Sequence, residues 1–133
     1  MSNEASAERT LANIRVVLVE PSHPGNIGGA ARALKTMGLS DLAVVNPGRY
    51  PDPQAEWRAA GAQDVLEATS VFASVEEAIA DCHWVVGTST RIRRIPWPLQ
   101  SASELAADLL AKPADTQMAI LFGREASGLT NDE

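Results

Sequence analysis

Three short stretches gather the residues whose types and spacing could do chemistry. Pro24-Gly25-Asn26-Ile27-Gly28-Gly29-Ala30-Ala31-Arg32 sets three glycines and a guanidinium in one segment. Thr88, Ser89 and Thr90 line up three hydroxyls, and Arg91, Arg93, Arg94 and Trp97 follow directly. Phe122-Gly123-Arg124-Glu125-Ala126-Ser127-Gly128-Leu129 holds an arginine and a glutamate between two glycines. Glycines at a helix start allow close approach to free backbone donors, which suits an anion. Hydroxyls at a strand exit can hold a small polar ligand, arginines grip phosphates, and an indole can stack on a base.

Each stretch also has an ordinary reading. Gly28 and Gly29 would permit tight helix–sheet packing, and on sequence alone that weighs equally with a ligand-facing role. Arg32 in isolation reads as a solvated surface charge. Thr88 to Thr90 read as turn and cap residues, and Arg124 with Glu125 as a salt-bridged turn. Trp97, between Pro96 and Pro98, reads as a hydrophobic anchor at a dimer interface, with at least one neighbouring arginine left for RNA. Trp57 and Trp84 read as core or interface. Gly25, Gly28 and Gly29 do not make G-x-G-x-x-G, and no GK[ST] follows, which disfavours a dinucleotide site and a P-loop. His23 and His83 lack metal-ligand spacing, so no metal is expected.

These stretches need a scaffold. Ile14 to Val19 is a β-branched, nearly continuous apolar run, the pattern of a central strand covered on both faces. A helix is predicted from Ile27 to Met37, capped by Asn26 and ended by Gly38. Leu42 to Val45 is the second strand, Pro53 to Ala60 a helix stopped by Gly61, and Val65-Leu66 a short strand. Ser74 and Glu77 form a capping box that opens a helix to about Asp81. Trp84 to Thr88 is a strand, Ser101 with Glu104 caps a helix running to about Lys112, and Met118 to Phe122 is the last strand. Strands alternating with helices predict an α/β fold, a parallel sheet flanked by helices. Ligands in such sheets bind at the carboxyl ends of the strands, which are the three places already singled out.

The chain has 133 residues, 45% of them hydrophobic, enough for one packed domain. Residues 1–12 read as a flexible N-terminal tail and 13–133 as the domain. One cysteine, Cys82, excludes an internal disulfide, fits a reducing compartment and reads as a small buried hydrophobe. No signal-peptide core or membrane-spanning run is present, so a cytoplasmic protein with no membrane partner is expected. A net charge of −6 argues only weakly against nucleic acid, because a local patch such as Arg91, Arg93 and Arg94 suffices.

The segment from Asn26 to Gly38 resembles the first motif of the SPOUT (SpoU/TrmH-like) RNA ribose 2′-O-methyltransferases. Phe122 to Leu129 resembles their second motif. Within that superfamily, Val17 to His23, Val86 to Arg91 and Phe122 to Glu133 are similar to the TrmJ-type tRNA (cytidine/uridine-32) methyltransferases. The resemblance implies a SPOUT-type α/β domain with a deep trefoil knot, working as a homodimer on tRNA with S-adenosylmethionine as cofactor. It assigns Arg32 as catalytic. It places Thr88, Ser89, Thr90 and Gly123 around the cofactor, with Asn26 and Glu125 supporting the site. The loop of Arg91, Arg93 and Arg94 is then the RNA contact. The family's third motif, which completes the knot, has no counterpart here. Thr130-Asn131-Asp132-Glu133 spells a capping box with no helix after it. The expectation is a truncated domain.

The implied reaction moves a methyl group to a ribose 2′-OH, whose oxygen gains negative charge in the transition state. A guanidinium seldom gives up its proton, so Arg32 is expected to stabilise that charge and position phosphate rather than act as a base. A non-catalytic nucleotide- or RNA-binding module is the alternative, and a nicotinamide-type oxidoreductase domain is disfavoured by the glycine spacing.

Overall fold

The structure, a computed structural model, describes residues 11–21, 23–48, 50, 52–88, 104, 107–108, 111–112 and 116–123. Five strands form one parallel sheet: β1 (Ile14–Val19), β2 (Asp41–Val45), β3 (Ser70–Phe72), β4 (Trp84–Gly87) and β5 (Met118–Phe122). Their order is β3-β2-β1-β5-β4, with β1 at the centre as its nearly continuous apolar run predicts. Four described helices join them: α1 (Pro24–Thr36), α2 (Pro53–Arg58), α3 (Gln63–Glu67) and α4 (Val75–Ile79).

Strand residues alternate between two cores. Val16, Leu42 and Val44 pack with Ile27, Ala31 and Leu34 of α1 and with Ala55, Val65 and Leu66 from α2 and α3. Val17, Val19, Ala43, Val45, Ala119 and Leu121 face the other way, toward Ala78 of α4. The connections β1 to β2 and β2 to β3 step one way across the sheet, and β3 to β4 jumps back. Right-handed crossovers therefore put α1, α2 and α3 on one face and α4 on the other. β1 and β5, the first and last strands in sequence, lie side by side in the middle of the sheet.

Several predicted elements move. α1 starts at Pro24, with His23 as its cap, because proline presets the helical φ and has no donor to lose at the first position. Asn26 therefore lies inside the first turn and is not the cap. Val65-Leu66 belongs to α3, where both side chains are buried, and is not a strand. The third strand is Ser70–Phe72, at the sheet edge, where Val71 is exposed and no alternation announces it. Gly38 and Gly61 end their helices with positive φ, as expected. Ser74 accepts a hydrogen bond from the Glu77 amide at 3.2 Å, while the Glu77 carboxylate accepts from Ala73, one residue earlier than the standard box.

Trp57 is 74% exposed and is no part of the core. Trp84 is half-buried with the Lys112 ammonium 4.7 Å from its ring. Cys82 is half-buried beside the α4 core, and burial, then the nearby Asp81, pushes its thiol up.

Candidate functional site

The carboxyl edge of the sheet is built by a repeated backbone device. The residue after β1, Glu20, donates its amide to the carbonyl of Val45, the last residue of β2, at 2.8 Å. Asn46, after β2, donates to Phe72, the last residue of β3, at 2.9 Å, and Thr88, after β4, donates to Leu121 at 3.0 Å. Each ladder thus runs one step past its strand and fixes where the loop departs. Glu20 and Asn46 do so in left-handed conformations, φ 49° and 47°, which cost a non-glycine residue about 1 kcal/mol or more. The Gly48 amide donates to the Pro21 carbonyl at 3.0 Å and ties the loops after β1 and β2 together.

Thr88 is fastened twice. Its hydroxyl donates to the same Leu121 carbonyl at 2.9 Å. The hydroxyl hydrogen is therefore committed, and Oγ1 offers only lone pairs to a ligand. Gly123 follows Phe122 directly at the end of β5, half-buried and with no side chain in the way. Thr88 and Gly123 thus lie at the carboxyl ends of the neighbouring strands β4 and β5, one offering an acceptor and the other a backbone without a side chain. Ser89, Thr90, Glu125 and the basic residues Arg91, Arg93 and Arg94 lie outside the described residues, as do Trp97 and Arg124.

α1 begins at the exit of β1. Pro24, Ile27, Gly28, Ala31 and Leu34 are its buried residues, so Asn26, Gly29 and Arg32 sit on its exposed side. The paired glycines divide between the two readings left open by the sequence. A Cβ on Gly28 would overlap the Ala55 carbonyl oxygen and come within 2.8 Å of Arg58 Cβ, so Gly28 is the close approach of α1 to α2. A Cβ on Gly29 would meet nothing within 4 Å. Packing claims the first glycine and open space borders the second.

Arg32 is exposed, and among the described residues its guanidinium has no hydrogen-bond or ion-pair partner. It makes no hydrogen bond to Thr88 or Gly123; Thr88 is bonded to Leu121, two residues before Gly123, and Arg32 lies on the helix that follows β1. Sequence reasoning passed over Arg58, whose chain lies against Gly25 and Gly28; only the α1–α2 contact reveals it.

A cavity of about 520 Å3 opens between α2 and α3, lined by Tyr50, Asp52, Glu56, Trp57, Gln63 and Glu67 among others. Three carboxylates make it unsuited to phosphate, and none of the predicted site residues lines it. Among the described residues no group of three or more His, Cys, Asp or Glu side chains converges to hold a metal. His83 instead accepts a hydrogen bond from the Gln117 amide at 3.0 Å. Among the described residues no helix is long and apolar enough to cross a membrane.

Comparison with known proteins agrees with this geometry. Residues 13–133 match the family described as "SpoU rRNA Methylase family". The tRNA (cytidine/uridine/adenosine-2′-O-)-methyltransferase TrmJ of Pseudomonas aeruginosa is 54% identical over 124 residues, 92% of this chain and 48% of that protein. The crystal structure of TrmJ from Z. mobilis superposes with a TM-score of 0.86 at 38% identity, covering 91% of this chain and 54% of that one. The SpoU methyltransferase AviRb from Streptomyces viridochromogenes, in complex with the cofactor AdoMet, shares the fold with a TM-score of 0.61. Its identity is 20%, over 89% of this chain and 45% of that one. The chain spans about half the length of the curated relatives it matches.

Proposed function

The chain belongs to the SpoU methylase family, and from that premise we propose that it catalyses S-adenosylmethionine-dependent 2′-O-methylation of ribose in tRNA, at cytidine or uridine 32 of the anticodon loop. The observation that carries this reading is Thr88, fastened to Leu121 at the carboxyl ends of β4 and β5, with an exposed arginine, Arg32, on the helix that follows the central strand. tRNA, rather than the ribosomal RNA of the family's title, is favoured by the relatives near 50% identity, which are named for tRNA.

S-adenosylmethionine supplies an electrophilic methyl group on a positively charged sulfur. Thr88 and Gly123, with Ser89 and Thr90, are the residues assigned to hold it. Thr88 Oγ1 accepts from a ligand hydroxyl or ammonium while its own hydrogen keeps the β4 exit on β5. Arg32 places positive charge where the ribose oxygen becomes negative, and a site with little water strengthens that attraction. Asn26 and Glu125 are assigned to hold the surrounding loops, and Arg91, Arg93 and Arg94 to grip RNA phosphates. For the whole protein, the same reading carries the trefoil knot, a homodimer and a cytoplasmic location.

The test is Arg32→Ala in the full chain. Methyl transfer to tRNA is expected to be lost by at least about a hundredfold, as for removal of one charge-stabilising donor, with S-adenosylmethionine affinity nearly intact. Near-normal turnover would overturn the assignment. The non-catalytic alternative predicts tRNA binding with no methyl incorporation from labelled cofactor.

A further inference from the structure

The described part of the chain carries five cations, and three of them are matched. Arg15 pairs with Asp41 and Asp81, Lys35 pairs with Asp64, and Lys112 lies over Trp84. Among the described residues Arg32 and Arg58 alone have neither an acidic partner nor a ring. Both border the same stretch of α1.

Arg58 is the last residue of α2, and its side chain crosses toward α1 at the two positions where α1 has no side chain of its own. Its Cβ is against Gly28, and its Cγ, Nε and Cζ stand 3.4, 3.8 and 3.9 Å from where a Gly25 Cβ would be. The guanidinium therefore lies across the first turn of α1, at the exit of β1. Arg32 lies on the exposed side of the same helix, one turn beyond Gly28. α1 thus has two guanidiniums without acidic partners along it, in a molecule whose net charge is −6. A planar fork with nothing to pair with suits an oxyanion.

The geometry points to Arg58 as a second RNA-contacting residue, one that grips a backbone phosphate of the substrate beside the nucleotide addressed by Arg32. This rests on the methyl-transfer reading for the identity of the RNA. Arg58 is a positioning group for the polynucleotide and takes no part in charge development at the ribose.

The test compares Arg58→Gln, Arg58→Met and Arg58→Lys in the full chain. Met keeps an apolar stem over the glycines, and Lys keeps the charge without the fork. tRNA affinity is measured by fluorescence anisotropy across a salt series, S-adenosylmethionine affinity by calorimetry, and kcat and KM with the same tRNA. Arg58→Gln and Arg58→Met are expected to weaken tRNA binding about tenfold and to make the slope of log affinity against log salt shallower by about one unit. KM for tRNA rises by a similar factor, while kcat and cofactor affinity stay nearly unchanged. Arg58→Lys recovers the slope and part of the affinity. A slope unchanged in both Gln and Met variants overturns the inference. If the parent protein binds tRNA without methylating it, the methyl-transfer reading fails while the slope comparison still decides Arg58. If it binds no tRNA, both fail.

Discussion

Gly28 and Gly29 are neighbours in sequence with opposite surroundings, and a methyl group on each separates packing from access. Gly28→Ala forces the α1–α2 contact apart at the Ala55 carbonyl and is expected to cost about 1–3 kcal/mol of stability, read as a lower urea midpoint. Gly29→Ala meets open space in the middle of a helix and is expected to stabilise by about 0.5–1 kcal/mol. If Gly29→Ala proves as damaging as Gly28→Ala, the division between them is wrong. The two glycines are indistinguishable in sequence because helical phase alone does not say which neighbour crosses where. The same limit hid Arg58, whose relevance comes from a partner helix some thirty residues away. Thr88 was legible as the residue at a strand exit, but not the commitment of its hydroxyl to the Leu121 carbonyl.

At the scale of elements, Arg15 pins three of them. It donates to Asp41 of β2 at 3.1 Å, to Asp81 after α4 at 2.9 Å, and to the Ala78 carbonyl at 2.8 Å. Burial works against its charge, but Asp41 and Asp81 more than offset this and raise its pKa. Arg15→Met leaves these acceptors without a donor and is expected to cost about 1–2 kcal/mol. For Asp81, desolvation pushes the carboxyl up, and its own amide with Arg15 outweighs that, so its pKa falls below the ordinary 3.8. A depressed folded value stabilises above 3.8 and is lost as the pH falls through that lowered value. Asp81 is largely exposed, so the share is at most about 0.5 kcal/mol. Denaturation across a pH series should show Asp81→Asn losing that increment at pH 7 and progressively less of it as the pH falls below 3.8. A loss that does not shrink as the pH falls would contradict the ion-pair origin. β1 and β5 were legible to the residue because both are buried runs, whereas β3 was missed because an edge strand with Val71 in solvent carries no apolar rhythm. Two buried residues, Val65 and Leu66, have no periodicity to separate helix from strand.

For the molecule as a whole, an excess of negative charge has to coexist with a polyanionic substrate. Among the described residues Arg32 and Arg58 leave unmatched positive charge along α1, while Arg15 and Lys35 are neutralised by acids. The proposed RNA loop adds Arg91, Arg93 and Arg94. Replacing these three by glutamine should flatten the salt dependence of tRNA binding by about two to three units of slope, and an unchanged slope would remove them from the interface. The layered α/β architecture was legible from alternation alone, because every crossover buries one apolar face. The strand order was not, because nothing local states that the fifth strand returns beside the first. That return has a consequence for biosynthesis. β1 pairs with β5 from Ile14 to Leu18, and Gln117 donates to Asn13, 104 positions earlier, at 2.6 Å. A ribosome must therefore finish residue 122 before one flank of the innermost strand is covered. Until then the nascent chain presents a bare, valine-rich hydrogen-bonding edge, where misassembly with another polypeptide competes with completion.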